Sequence, residues 1–215
     1  MKFNIDSPVF QFLGTLVDFV ALNLLFLITC IPVITIGPAL SALYTVTMRE
    51  ARGEHGYILK PYLQAFRSNF TSGVKLFLIY LLAGAIFLFN IGFWMNVSNV
   101  VLFILIAVTI LYIFSFLYVF ALNARFENTI KQTIKNSLCI PFTSPGTTLC
   151  MALIPAAVIL LCWLMPAFRI LVLFFGFSFV AYCESFLLVK VFKKFEPEEV
   201  LDEAAEAVSA ANESL

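Results

Sequence analysis

The stretch between Lys75 and Arg125 contains no Asp, Glu, Lys or Arg over 49 residues, and this run constrains the fold more than any other feature. A helix needs about 20 apolar residues to cross about 30 Å of hydrocarbon. The run supplies two such crossings, separated by the polar turn at 95–99. Only 12% of the whole chain is charged, against about 25% in a typical soluble domain. The sequence therefore predicts an integral membrane protein, with the lipid bilayer as its main partner.

The hydropathy pattern predicts an all-α fold, a polytopic transmembrane helical bundle formed by residues 1–194. Five long spans are expected, plus one short helix at 38–52 that is bounded by proline and glycine, which interrupt a regular helix. An amphipathic surface helix is predicted at about 61–70, where Tyr62, Phe66 and Phe70 recur at every fourth position. The predicted long spans are 9–31, 74–95, 100–122, 147–165 and 167–189.

Basic residues beside the spans predict the orientation of the bundle, because Lys and Arg are retained on the cytoplasmic side. The loops 49–75 and 123–146 and the flank after the last span carry eleven of them, whereas the alternate turns carry only Arg169. Both loops and the C-terminus are therefore expected to be cytoplasmic. Whether 38–52 crosses the membrane stays open. If it crosses, there are six spans and the N-terminus is inside; if it lies at the surface, there are five spans and the N-terminus is outside.

The last segment, 195–215, differs from the rest of the chain in charge. It contains seven acidic residues and no Lys or Arg, which leaves thirteen bases against six acids in the preceding residues. We expect an acidic cytoplasmic tail that is helical and either solvated or docked on a basic surface.

Two carboxylates interrupt the predicted spans, and each needs a partner because a charge inside a bilayer is costly. Asp18 lies in the first span and Glu184 in the last, with Asn23 as a further polar residue. If the N-terminus is inside, the two acids lie at similar depth, and a base such as Arg125 can reach them from the cytoplasmic edge. The candidate intramembrane polar site is therefore Asp18, Asn23, Glu184 and Arg125, as either a structural ion pair or a solute site.

Motifs that would indicate catalysis are missing from the sequence. There is no nucleophile elbow, Walker loop or H-E-x-x-H zinc motif, and the five cysteines are scattered without a C-x-x-C pair. The sequence thus predicts no enzyme activity, no catalytic residues, no cofactor and no metal. The many phenylalanines are attributed to packing and lipid contact, so no nucleic-acid partner is expected.

Short motifs occur at residues 3–8 with 12–13, at 31–39 with its P-V-x-T-I-G pattern, and at 42–44, 56–58, 69–70 and 141–142. Together they resemble the YesL-like family of bacterial integral membrane proteins, whose biochemistry is uncharacterised. The resemblance implies a location in the bacterial cytoplasmic membrane. It also implies that the gene for this chain lies beside carbohydrate ABC-transport and sensor genes, as is frequent in the family. A sugar permease subunit or a sensor protein is therefore the expected partner.

Two functions follow from this reading. The leading hypothesis is a non-enzymatic accessory or regulatory protein linked to bacterial carbohydrate uptake. The alternative is a small-solute transporter or channel subunit, in which the interrupted segment 32–38 and the intramembrane carboxylates line a site near the middle of the bilayer.

Overall fold

The computed structural model describes residues 8–54, 56–95 and 97–195, and within these ranges the regular elements are all helical. A 3₁₀ turn at Val33–Thr35 joins the first two helices. The eighth helix is α-helical at both ends and contains a π-helical turn at Val172–Gly176. The helices are α1 Pro8–Thr29, α2 Ile36–Ala51, α3 Leu59–Ser68, α4 Phe70–Trp94, α5 Asn99–Arg125, α6 Ile130–Thr143, α7 Pro145–Leu164 and α8 Phe168–Phe192.

Four helices, α4, α5, α7 and α8, are long and apolar enough to cross a membrane. Their outer faces carry large side chains such as Phe89 and Phe103, about three quarters exposed, as expected of surfaces that contact lipid. The apolar part of α1, Leu16–Thr29, is shorter than these spans. Four of the five predicted long spans are thus matched by helices of sufficient length, and the fifth, at 9–31, stays a prediction.

The short helix α2 lies at the centre of the bundle. It packs against α3, α4, α5 and α8, and Ala39, Ser41 and Ala42 have no exposed surface. Small side chains let the neighbouring backbones approach closely, which is how helices associate in a bilayer. The predicted short helix at 38–52 is therefore a buried element of the core.

The closest approach in the bundle is between the start of α2 and the start of α4. A Cβ added at Gly37 would collide with the carbonyl oxygen of Gly73, and one added at Gly73 would lie 2.6 Å from the nitrogen of Pro38. Any residue larger than glycine at either position must push the helices apart. The two glycines therefore determine how the interrupted segment before α2 seats against α4.

The polar segments meet at one end of the bundle, which we call the basic end. Arg52, Arg125 and Lys193 line the same small cleft there. Arg52 follows α2, Arg125 ends α5 and Lys193 follows α8. Lys194 also reaches Ser144, the residue before α7, with its Nζ 3.5 Å from the hydroxyl oxygen. The three basic segments of the sequence are thus neighbours in space.

The segment 123–146, expected to be a polar loop, instead contains the helix α6. Its buried face consists largely of Thr133, Ser137 and Ile140, and Pro141 lies inside the helix. Because two of its four buried residues carry hydroxyl groups and a third is proline, the segment lacks the hydrophobic periodicity that identifies a helix. Apart from Phe195, the predicted acidic tail at 195–215 lies outside the described ranges, as do the first seven residues.

Candidate functional site

Asn23 binds the π-helical turn of α8. Its Nδ2 donates to the carbonyl of Leu173 at 2.7 Å, and its Oδ1 accepts from the backbone N–H groups of Phe177 and Ser178 at 3.0 and 3.1 Å. In a regular α-helix the N–H of Phe177 would bond to the carbonyl of Leu173. The Asn23 carboxamide instead engages both of these groups, and its side chain is fully buried. Asn23 therefore has a structural role that explains a polar residue in this helix.

Glu184 is buried in α8 and bound by a hydroxyl group. The Tyr44 hydroxyl of α2 donates to its Oε2 at 2.5 Å, and the next residue, Ser185, pairs with Thr47 at 2.7 Å. Glu184 also lines a groove of about 340 Å³ between α2, α7 and α8, whose other lining groups are mainly apolar. The carboxylate is thus positioned by two adjacent contacts between α2 and α8.

The other two predicted site residues lie elsewhere. Asp18 is exposed on α1 and does not line the groove beside Glu184. Arg125 ends α5 and lines the clefts at the basic end. Asn23, Glu184, Asp18 and Arg125 are consequently in four different environments, and the partner that the structure gives Glu184 is tyrosine rather than arginine.

Three hydroxyl groups join α4, α5 and α6 in the interior. Ser137 lies 3.0 Å from the Tyr80 oxygen and 2.7 Å from that of Ser115, and Tyr80 also bonds to Ser115. Tyr112 of α5 donates to the backbone carbonyl of Tyr80 at 2.8 Å. This cluster holds the buried face of α6 against the two spans. Ordinary Ser and Tyr residues give no sequence signal for such an arrangement.

A cleft of about 780 Å³ lies at the basic end, and we call it the polar cleft. It lies between α2, α3, the start of α4 and the end of α5 with the residues that follow it. The lining groups are two guanidiniums, one carboxylate, four carboxamides and four hydroxyls, with a few apolar side chains. They come from Thr45, Arg49, Pro61, Gln64, Ala65, Ser68, Asn69, Ser72, Asn123, Ala124, Arg125, Phe126, Glu127, Asn128 and Thr129.

Asn123 lines the polar cleft and contacts two other polar side chains. Its Nδ2 donates to the Ser41 hydroxyl at 3.0 Å and approaches Asn69 Oδ1 at 3.5 Å. Asn69 is the residue between α3 and α4, and its own Nδ2 donates to the carbonyl of Ala65 at 3.1 Å. The carboxamide of Asn123 thereby connects α5 with Ser41 of α2 and with Asn69 before α4.

Glu54 organises the turn between α2 and α3. Its carboxylate lies 2.6 Å from Nε of Arg52 and 3.5 Å from Nε of Arg49. Partial burial raises the pKa of Glu54, but the hydrogen bond and charge of Arg52, with the charges of Arg49 and Arg125, outweigh burial and leave that pKa below its ordinary value. The carboxylate thus stays ionised and balances arginine charge beside the polar cleft.

Within residues 8–54, 56–95 and 97–195, no three His, Cys, Asp or Glu side chains are grouped so as to hold a metal ion. The cysteines are free thiols at separate positions. The polar cleft, with its charged, carboxamide and hydroxyl side chains, is the candidate binding site. Sequence reasoning missed it because its residues come from four segments; Asn69 and Asn123 at helix ends were the available signal.

The sequence is similar to known proteins. Residues 19–91 match a family model described as "Protein of unknown function, DUF624". The "Uncharacterized protein YesL" of Bacillus subtilis (strain 168) is 27% identical over 186 residues, which cover 85% of this chain and 87% of that relative. No solved structure matches the chain. The two matches support a YesL-like family, and the resemblance inferred from the sequence motifs is confirmed.

Proposed function

We propose that this chain is a non-enzymatic accessory or regulatory protein of bacterial carbohydrate uptake that acts by contacting a transporter in the cytoplasmic membrane. The buried polar side chains support a role without catalysis, because they bind one another or the backbone. Asn23 is engaged by α8, and Glu184 by Tyr44. The family resemblance, through the genes found beside it, supports the link to carbohydrate uptake.

The observation that carries the proposal is an exposed apolar surface at the basic end, which we call the docking tip: Tyr57, Leu59 and Leu63. Tyr57 is 94% exposed and Leu59 50%. The turn that precedes the docking tip is held by specific contacts. Glu54 binds two arginines, and Gly53 adopts a φ of +82°, which glycine tolerates without strain. An apolar surface on a rigid polar base is typical of a protein contact site.

Photo-crosslinking tests this contact. Tyr57 is replaced by p-benzoylphenylalanine in the native bacterium, with the same replacement of Val97, 60% exposed on the connection between α4 and α5, as the matched control. We expect Tyr57, and not Val97, to capture a carbohydrate ABC-permease subunit. Capture of lipid alone from Tyr57 would show that α3 rests on the membrane surface, and would refute the proposed contact.

The proposal includes an orientation, with the loops 49–75 and 123–146 and the C-terminus in the cytoplasm. Single cysteines at positions 2, 55, 97 and 168, in a background without the native cysteines, test it by labelling with a membrane-impermeant maleimide. Labelling of 97 and 168 from outside, and of 55 only after permeabilisation, is the expected pattern. Labelling of position 55 from outside would contradict the orientation.

A small-solute transporter is the second candidate, and the groove beside Glu184 favours it. That groove of about 340 Å³ places a carboxylate among apolar groups of three helices. In this case Glu184→Gln abolishes solute flux in proteoliposomes, while Asp18→Asn, which lies outside the groove, and Asn90→Leu on α4 do not. Unchanged flux in Glu184→Gln, or no flux in the wild type, would eliminate this candidate.

A further inference from the structure

We propose that the polar cleft binds an uncharged, polyhydroxylated ligand of the size of a mono- or disaccharide. The inference rests on the proposed function, since it makes the cleft the place where the accessory protein detects a sugar. The cavity of about 780 Å³ falls within the range of small-molecule sites, about 300–1,000 Å³. The lining chemistry, rather than the size, identifies the ligand class.

Charges of both signs lie at the polar cleft. Arg49 and Arg125 line it together with Glu127. Glu54 lies beside it, 3.5 Å from Nε of Arg49 and 2.6 Å from Nε of Arg52. Because carboxylates already lie near these arginines, an anionic ligand must compete with them, whereas a neutral polar ligand need not.

The hydroxyl groups of the cleft are oriented by their own helices. Thr45 donates to the carbonyl of Ser41 at 2.9 Å, Ser68 to Ala65 at 3.1 Å and Ser72 to Asn69 at 3.3 Å. Because each hydroxyl has a single hydrogen to donate, the remaining capacity of these oxygens is to accept. The cleft thus offers acceptors that a phosphate or carboxylate, which only accepts, cannot use.

The same cleft also offers donors. Arg49 engages Glu54 through Nε, and its guanidinium carries five N–H donors in all. Gln64 and Asn128 line the cleft with carboxamides, each with two N–H donors and one acceptor oxygen. A sugar hydroxyl donates and accepts at once, so a ligand with several hydroxyls satisfies both sets. Phe126, at the edge of the cleft, adds an apolar surface for the C–H face of a sugar ring.

Direct binding to the full chain in phosphatidylcholine nanodiscs tests the inference. Equilibrium dialysis measures labelled glucose, galactose, maltose and sucrose, with glucose 6-phosphate as the anionic arm. Gln64→Ala and Asn128→Ala remove lining carboxamides. Gln132→Ala removes a carboxamide that is exposed on α6 and does not line the polar cleft, and so serves as the matched control.

We expect saturable binding of at least one neutral sugar, about tenfold weaker in each cleft variant, as the loss of one or two hydrogen bonds predicts. The control variant should bind as the wild type does. A galactolipid added to the nanodiscs tests whether a lipid headgroup competes with the free sugar. If free-sugar binding is lost, the natural ligand is a lipid headgroup; if it is retained, the ligand is a free sugar. Either result supports the inference.

Three results would overturn it: no saturable binding of any neutral sugar, tighter binding of glucose 6-phosphate than of glucose, or equal weakening by Gln132→Ala. The accessory role is tested by a different experiment. Capture of a permease subunit from Tyr57 without sugar binding would refute sugar binding in the polar cleft and leave the accessory role. Sugar binding without capture would refute the accessory role and leave the binding site.

Discussion

Replacing Asn23 by leucine removes the carboxamide that binds the π-helical turn of α8 while keeping the same number of side-chain heavy atoms and the same branching. Three backbone groups lose their partner: the carbonyl of Leu173 and the N–H groups of Phe177 and Ser178. The side chain is fully buried, so neither water nor a lipid headgroup can substitute. We therefore expect Asn23→Leu to destabilise the packing of α1 on α8.

The magnitude follows from the number of contacts. Side-chain hydrogen bonds between helices in a membrane protein contribute about 0.6 kcal/mol each on average and about 1.7 kcal/mol at most. Three contacts therefore give a loss of about 2 kcal/mol, with an upper bound of about 5 kcal/mol. The lower figure is favoured because the N–H of Phe177 can regain the carbonyl of Leu173 if the turn relaxes to an α-helix.

Asn90→Leu is the matched control. Asn90 is also a carboxamide on a long span, but it is exposed and donates to its own helix, to the carbonyl of Ile86 at 2.8 Å. Reversible unfolding in mixed micelles of dodecyl sulfate and a mild detergent measures both variants. Asn90→Leu should change the free energy of unfolding by less than about 0.5 kcal/mol. Equal stability of the two variants would refute the reasoning about Asn23.

Three further predictions concern packing, the buried carboxylate and pH. Gly37→Ala should lower the free energy of unfolding by about 1–3 kcal/mol in the same assay, because the added methyl group meets the backbone of Gly73. Gly92→Ala, with open space around it, should not lower it. Equal effects of the two substitutions would exclude the close approach of α2 and α4. Tyr44→Phe should lower stability more than Glu184→Gln, because only the former leaves a buried carboxylate without its donor; the reverse order would contradict the Tyr44–Glu184 contact. Since the pKa of Glu54 is lowered in the folded chain, its stabilisation of the α2–α3 turn is present above the unfolded pKa of about 4.3 and is lost as the pH falls through the lower folded value. Protection of the amides at residues 49–54 against hydrogen exchange, measured relative to the intrinsic rate at each pH, should therefore fall below about pH 4 in the wild type. The same fall in a Glu54→Gln variant would disprove this assignment.

The long helices were accessible from the sequence because their cause is local. A run of apolar residues satisfies its backbone groups within one helix, so its length and hydropathy are sufficient to predict it. The bounds differ by a few residues at the polar ends: α4 begins at Phe70 rather than 74, and α5 continues to Arg125 rather than 122. Both extensions lie at the basic end, where the helix continues beyond its apolar part.

The candidate site was less accessible, because its chemistry depends on partners far apart in the chain. The sequence identified Asn23 and Glu184 as polar residues that need partners, but their partners, Leu173 and Tyr44, lie 150 and 140 residues away. No periodicity within one helix encodes such a contact. The same holds for α6, whose buried serine finds its partners on α4 and α5.

The amino-acid order alone determined that this chain forms apolar helices of bilayer length and gathers its basic residues in alternate connections, because hydropathy and charge act residue by residue. The tertiary structure decided which polar groups meet. Asn23 bonds to the π-helical turn of α8, Tyr44 bonds to Glu184, and four segments converge at the polar cleft. Those outcomes depend on distances between helices, and such distances are set by packing at positions like Gly37 and Gly73.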